Sequence, residues 1–240
     1  MPTKHYHLVD ALRQIVPCTG SADYLLLTQN WDGTDEIDPI LPQSRYVFGD
    51  AKAGGTFRDG VLVATLSSVD IGQVGGREDA CLQKAVALFK SADIKATLHD
   101  NILHYLWVQY AITGGLWPSL VRAGSIEAVL RDRRLGELSL DAVGECLEVI
   151  KRRGVDLSKY PETRMYRNTS FISRQMMAIT MTVMFRFDEY MRRSSAHGLS
   201  DPEEIRAFYY DLLNTGKALG VPMPALSSFE DDIVRFTAPA

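Results

Sequence analysis

Cysteine is scarce in this chain: three in 240 residues, Cys18, Cys81 and Cys146, an odd number at wide spacing with no Cys-x-x-Cys. That excludes a disulfide framework or a zinc knuckle and fits reduced thiols in a cytosolic protein. Long apolar runs are missing too. No stretch reaches the ~18 residues that would cross a bilayer, and the N-terminus lacks the basic-then-apolar order of a signal peptide. The expectation is a soluble cytoplasmic protein with no membrane partner. Neither sign of charge dominates, with 26 Lys and Arg against 30 Asp and Glu and a net charge of −4. The longest basic cluster is Arg131-Asp132-Arg133-Arg134. A nucleic-acid surface therefore has no support.

Two catalytic signatures are also absent. There is no Gly-x-Ser-x-Gly of a serine hydrolase, and no Gly-x-Gly-x-x-Gly turn through which backbone N–H groups approach a pyrophosphate at a helix N-terminus. Glycine clusters occur at Gly54-Gly55 and Gly72-Gln-Val-Gly75-Gly76. Both read as turns, neither opening a clear strand–turn–helix unit. His99 and His104 are five apart, off one helical face, so no metal site is expected. Met176, Met177, Met181 and Met184 read as helix packing.

What remains is an ordinary globular composition, 46% hydrophobic and 23% charged, long enough for one to two domains. His7 to Val16 carries apolar residues on one helical face and is stopped by Pro17 and Gly20. Tyr24-Leu-Leu-Leu27 lies in a short apolar run between polar residues, the pattern of a buried parallel strand. A short helix is expected over Thr34 to Leu41, and strands over Tyr46 to Phe48, Val61 to Leu66 and Val69 to Gly72, with Ser67-Ser68 as a turn. Ala80 to Phe89 reads as a helix and Ile94 to Leu98 as a strand. Helices are then expected over Ile102 to Ala123, Ile126 to Arg131, Ser139 to Arg153, Phe171 to Arg193, Pro202 to Leu219 and Ser227 to Phe236. The fold class is thus α/β plus all-α. A partial Rossmann-like α/β part, residues 1–75, precedes an all-helical C-terminal domain, residues 76–240.

Four stretches in this order resemble the ketopantoate reductase (2-dehydropantoate 2-reductase) family. They are Thr3-Lys4-His5-Tyr6-His7, Leu25-Leu-Leu-Thr-Gln-Asn30, Trp107-Val-Gln-Tyr-Ala-Ile-Thr113, and Glu204-Ile205 followed by Gly216 and Leu219-Gly-Val-Pro-Met-Pro224. The resemblance covers nearly the whole chain but begins inside the family's first domain. By that comparison about 70 residues that carry the Gly-rich turn precede it. The resemblance implies an NADPH-dependent reduction of a small 2-keto acid in pantothenate biosynthesis, a Rossmann domain followed by a helical domain, and a homodimer.

Carried over position by position, Lys4 falls near the cofactor, Asn30 near nicotinamide or substrate, and Glu204 near a substrate hydroxyl or the cofactor ribose. Gln109 stands where the family has its catalytic Lys, and Thr113 where it has an Asn. Each has a plainer alternative. Lys4 also reads as a flexible terminal lysine and Asn30 as an Asx turn over Trp31-Asp32-Gly33. Glu204 also reads as the capping-box Glu of Asp201-Pro202-Glu203-Glu204, and Gln109 as a polar residue on a half-exposed helix face. A Gln donates a hydrogen bond but supplies neither a proton nor a full charge. The second functional reading is therefore a truncated, non-catalytic relative whose helices dimerise or dock a partner.

Overall fold

The computed structural model describes residues 1–58, 60–76, 79–167, 199 and 201–237. The expected helix over 171–193 and its methionines lie outside them. The chain divides into two compact units, residues 1–53 with 66–107, and residues 54–65 with 108–240.

The first unit is built on a four-stranded sheet in the order β1-β2-β3-β4. Its strands are β1 (Tyr24–Leu27), β2 (Tyr46–Arg58), β3 (Val61–Gly72) and β4 (Lys95–His99). β1 runs parallel to β2 with Tyr24 opposite Tyr46, and β3 parallel to β4 with Ser68 opposite Lys95. Only residues 59 and 60 separate β2 from β3, a link that makes these two antiparallel. The expected break at Ser67-Ser68 is not there. Both serines lie inside β3, where backbone pairing to two neighbours outweighs their turn preference. At the other edge Pro2 bridges Leu27 in parallel, and Leu27 N donates to Met1 O at 3.1 Å. The first residues thus extend the sheet.

α1 (Leu8–Ile15) forms as expected, flanked by single 3-10 turns. The helix expected over Thr34–Leu41 is instead a series of turns. The Thr34 hydroxyl donates to Asp38 Oδ2 at 3.1 Å, and Asp38 Oδ1 takes the Tyr46 hydroxyl at 2.7 Å. Those side-chain bonds pull the segment onto the sheet and compete with a helical ladder.

β3 leads through Gly72-Gln-Val-Gly75-Gly76 into α2 (Ala80–Ser91) and on to β4. This Gly-rich stretch therefore does open a strand–turn–helix unit, contrary to the sequence reading. Gly75 and Gly76 have φ of 73° and 72°, a region closed to most side chains. Asp79 caps α2, accepting from Cys81 N at 2.9 Å and Leu82 N at 3.1 Å. The helix buries Cys81, Leu82, Ala85 and Phe89 against Val47, Val69 and Ile71 of the sheet. Strand alternation turns Asp70 to the opposite face.

Apart from the 54–65 segment, the regular elements among the described residues of the second unit are helices. α3 (Ile102–Ala123) begins in the first unit and continues into this one. It is followed by α4 (Ile126–Arg131), α5 (Arg133–Arg152), α6 (Arg164–Arg167), α7 (Pro202–Ala218), α8 (Pro224–Ser227) and α9 (Glu230–Arg235). α5 starts six residues before the expected Ser139. Asp132 caps it by accepting from Arg134 N and Leu135 N, and this Asx cap was hidden inside a run of charges. Of the last expected helix, Ser227 to Phe236, α9 forms, while Ser227 closes α8 and Ser228 and Phe229 are a turn between them.

Glycine marks each crossing among α3, α5 and α7. Gly114 faces Phe208 and Leu212, Gly115 faces the backbone of Val143, and Gly216 faces Val149 and Met223. Tyr110 stacks on Phe208 with ring centroids 3.7 Å apart and donates to Asp211 Oδ2 at 2.6 Å. Glu145 of α5 accepts from Ala225 N and Leu226 N at 2.9 Å each and so caps α8. Among the described residues no helix is long and apolar enough to cross a membrane.

Candidate functional site

β1 ends in the polar run Thr28-Gln29-Asn30, at the carboxyl edge where open α/β sheets bind ligands. The Thr28 hydroxyl and the Gln29 Oε1 are buried and have no hydrogen-bond partner. Gln29 is otherwise committed, since its Nε2 donates to Asp50 Oδ1 at 3.0 Å. Orphaned buried polar atoms are uncommon and mark places where a further partner is missing. Asn30 is 3% exposed. Its Oδ1 accepts from Gly33 N at 3.1 Å and its Nδ2 donates to Gly33 O at 2.6 Å. Its amide thus closes the loop at Gly33, whose φ is 88°. Lys4 follows the Pro2–Leu27 bridge. Parallel pairing sets it at the same end of the sheet as Thr28 and Gln29. It is half-buried, and its carbonyl accepts from His7 N at 3.1 Å.

The other three sequence candidates lie in the second unit. Gln109 and Thr113 are one turn apart on α3, so they share a face, and both are half-buried. Gln109 Nε2 donates to Glu162 Oε1 at 3.2 Å. Glu204 is in the first turn of α7, where Asp201 Oδ1 accepts its backbone N–H at 3.1 Å. The capping role expected of this segment is carried by Asp201, and the Glu204 side chain is half-buried. The structure thus groups Lys4 and Asn30 with Thr28 and Gln29 in one unit, and Gln109 with Thr113 in the other.

Sequence reasoning missed a polar cluster of the first unit centred on Asp70. Asp70 on β3 is 8% exposed. Its Oδ1 is 2.7 Å from His99 Nε2, and its Oδ2 takes the Tyr105 hydroxyl at 3.0 Å. Lys52 Nζ lies 3.7 Å from the same Oδ2 and 2.8 Å from Asp50 Oδ2. It also stands 5.0 Å from the Tyr105 ring centroid, and His99 stacks on that ring at 4.0 Å. Burial pushes the Asp70 carboxyl up, but the His99 hydrogen bond, the Lys52 charge and the Tyr105 hydroxyl together hold it below its ordinary value. The signal in the sequence was alternation. Asp50 and Lys52 share one face of β2, as Asp70 does of β3, which is visible only once β2 is known to run beyond Phe48.

Among the described residues no group of three or more His, Cys, Asp or Glu is placed to hold a metal ion. A surface cleft of about 400 Å³ is lined by Arg122, Ala128, Asp132, Arg134 and Leu135. It contains none of the five sequence candidates.

No protein-family profile matches the sequence, and no curated protein does. Solved structures do match the fold. D-mandelate dehydrogenase in its ternary structure with NADH and anilino(oxo)acetate superposes with a TM-score of 0.73 at 14% identity, over 97% of this chain and 74% of that one. The 2-dehydropantoate 2-reductase of Geobacter metallireducens GS-15 gives 0.67 at 13% identity, over 98% and 75%. The dimeric ketopantoate reductase of Staphylococcus aureus gives 0.63 at 11%, over 95% and 72%. At such identities the likeness is one of fold. The chain has the ketopantoate reductase fold over about three quarters of those proteins' length, with a partial Rossmann-like sheet followed by helices.

Proposed function

We propose that this chain is an oxidoreductase of the ketopantoate reductase type, which reduces a small 2-keto acid to the 2-hydroxy acid with a reduced nicotinamide, NADPH by family resemblance. The observation that carries the reading is the carboxyl end of β1. There the buried Thr28 hydroxyl and Gln29 Oε1 lack partners, and Asn30 follows them. One acceptor fixed by Asp50 and one hydroxyl able to donate or accept fit a carboxamide, which offers an N–H₂ and a C=O. The fold supports the class, since the structures it matches include D-mandelate dehydrogenase solved with NADH, once with anilino(oxo)acetate as well.

A bound reduced nicotinamide supplies the hydride that goes to the carbonyl carbon. The chain's own part is to hold the carboxamide at Thr28 and Gln29, with Asn30 shaping the loop and Lys4 adding positive charge at the same sheet end. For the helical unit the roles come from the family resemblance alone: it makes Gln109 the hydrogen-bond donor to the developing alkoxide, aided by Thr113, and Glu204 the partner of a substrate hydroxyl. Gln109 carries no proton to give, so the alkoxide is protonated from water and turnover is slow.

The pyrophosphate end fits less well. The one Gly-rich strand–turn–helix unit among the described residues leads into α2. Its Asp79 already occupies Cys81 N and Leu82 N and sets a carboxylate where a phosphate would go. NADPH binding by this chain is accordingly expected to be weaker than micromolar, read by calorimetric titration.

The decisive assay mixes the chain with saturating NADPH or NADH and a panel of 2-keto acids, ketopantoate and phenylglyoxylate among them, and follows loss of the reduced nicotinamide. Slow, keto-acid-dependent oxidation is the expected result. No oxidation and no nucleotide binding with either cofactor overturns the proposal and leaves the helical dimerisation or docking module.

A further inference from the structure

The geometry points to Asp50 and Lys52 as positioning residues that preset Gln29 as a hydrogen-bond acceptor for an incoming N–H donor, with Gln29 as the residue that selects that donor. This rests on the functional reading above and names the group it recognises, a carboxamide N–H₂.

A glutamine amide presents a donor at one end and an acceptor at the other, and a free side chain offers either to a ligand by turning over. Here one orientation is fixed. Asp50 Oδ1 is an acceptor only, 3.0 Å from Gln29 Nε2, so the Gln29 N–H₂ must face it and Oε1 must face away. Oε1 is the atom left buried without a partner. Asp50 is itself anchored, because its second oxygen lies 2.8 Å from Lys52 Nζ. Lys52 is anchored in turn by Asp70 Oδ2 at 3.7 Å and by the face of Tyr105. Asp70 is held by Tyr105 and by His99.

Polar contacts therefore cross the sheet without a break, from Gln29 beside β1, through Asp50 and Lys52 on β2 and Asp70 on β3, to His99 on β4. β2, β3 and β4 all contribute to holding one amide. The chain of contacts alternates acceptor and donor, so each group fixes the next. Charge explains why the anchor is a lysine. Asp50 and Asp70 lie on one face of neighbouring strands, and like charges there repel. Lys52 between them removes that repulsion, with its ammonium 2.8 Å from Asp50 Oδ2 and 3.7 Å from Asp70 Oδ2.

The consequence is a specificity rule. A ligand group that meets Gln29 must donate, as an N–H₂ or an O–H does, and a carboxylate there meets an acceptor and is rejected. Nicotinamide and nicotinic acid differ at that group alone, so their mononucleotides are the natural probes.

Two measurements test this on the full chain. The first is the water-exchange rate of the Gln29 side-chain N–H₂ by NMR, in the absence of ligand. Asp50→Ala is expected to speed it by about tenfold, the order of one lost charge-assisted hydrogen bond, whereas Asp50→Asn, whose Oδ1 still accepts, stays within about threefold of wild type. The second is titration with nicotinamide mononucleotide and with nicotinic acid mononucleotide, both with the oxidised pyridinium ring, so that the amide and the carboxylate are the only difference between them. The wild type is expected to prefer the amide probe, and Asp50→Ala to lose about tenfold of that preference as Gln29 becomes free to turn over.

Equal exchange rates in wild type and Asp50→Ala overturn the positioning claim whether or not a probe binds. Binding of both mononucleotides with equal affinity by the wild type overturns the specificity rule. Failure of the wild type to bind any nicotinamide probe overturns the functional reading and the selection by Gln29 with it, while the exchange rates still decide the positioning claim separately.

Discussion

A methyl group added to Gly115 of α3 would stand 2.7 Å from the Cα of Val143 on α5. Backbone meets backbone at this crossing, so no side chain can swing aside to make room. Gly115→Ala is therefore expected to push the helices apart and destabilise the protein by about 2–3 kcal/mol, more than enough to offset alanine's better helix propensity of ~1 kcal/mol. Urea unfolding followed by circular dichroism measures it. Gly136 on the same α5 gives the control, since the nearest atom to its added methyl is Val129 O at 3.7 Å. Gly136→Ala is expected to be neutral or stabilising. Equal losses at the two positions would contradict the close approach at Gly115.

Asp70 makes a second test, of sign as well as size. Its folded-state pKa lies below the ordinary 3.8, because the bonds from His99 and Tyr105 and the charge of Lys52 outweigh the effect of burial. A carboxyl with a depressed pKa stabilises the fold above its unfolded value, and the gain is lost as pH falls through the folded value. Asp70→Asn keeps the shape and removes the charge that three donors share. It is expected to lose about 2–4 kcal/mol at neutral pH, and the gap to wild type is expected to shrink as pH drops below 3.8. Denaturant unfolding at pH 7 and at successively lower pH reads the trend. A gap that stays constant through the acid range would show that the carboxylate charge contributes nothing.

Helix period and strand polarity were legible in the chain, and so were the helices over 102–123 and 126–131. Periodicity in a buried face is a local signal, and these stretches carry it without interruption. The strands over 46–48, 61–66 and 69–72 were legible too, but the run of β2 beyond Phe48 was not. That run includes Asp50-Ala-Lys-Ala-Gly-Gly, residues of poor strand propensity, and only pairing across the hairpin makes them extended. The same misreading hid the network at Gln29, because Asp50, Lys52, Asp70 and His99 come together through strand register and not through spacing. Asn30 illustrates the other limit. Its loop-closing amide could be read from Asn-Trp-Asp-Gly, but the orphaned hydroxyl of Thr28 and Oε1 of Gln29 beside it depend on which neighbours the fold supplies. At the start of α7 the local pattern was legible, since Asp201 accepts the Glu204 backbone N–H as an N-cap does.

The last test concerns Gln109, which stands where the resembling family has a lysine. Its amide now donates to Glu162 at 3.2 Å, from a half-buried position one turn before Thr113. A lysine side chain is long enough to keep that acid as its neighbour while carrying a full charge and a transferable proton, the two things a glutamine lacks. Reduction of a ketone builds negative charge on the carbonyl oxygen, and an ammonium there both stabilises it and completes the reaction by protonation. Gln109→Lys is therefore expected to raise keto-acid-dependent oxidation of NADPH by at least about tenfold, ~1.4 kcal/mol of barrier. The gain should appear in kcat rather than KM, since the added interaction strengthens as the alkoxide forms. Gln109→Met, of similar length and without a donor, should fall below wild type. Steady-state assays of the three proteins on ketopantoate, each at saturating NADPH, give the comparison. Brisk turnover by the wild type that neither substitution changes would show that position 109 takes no part in the chemistry.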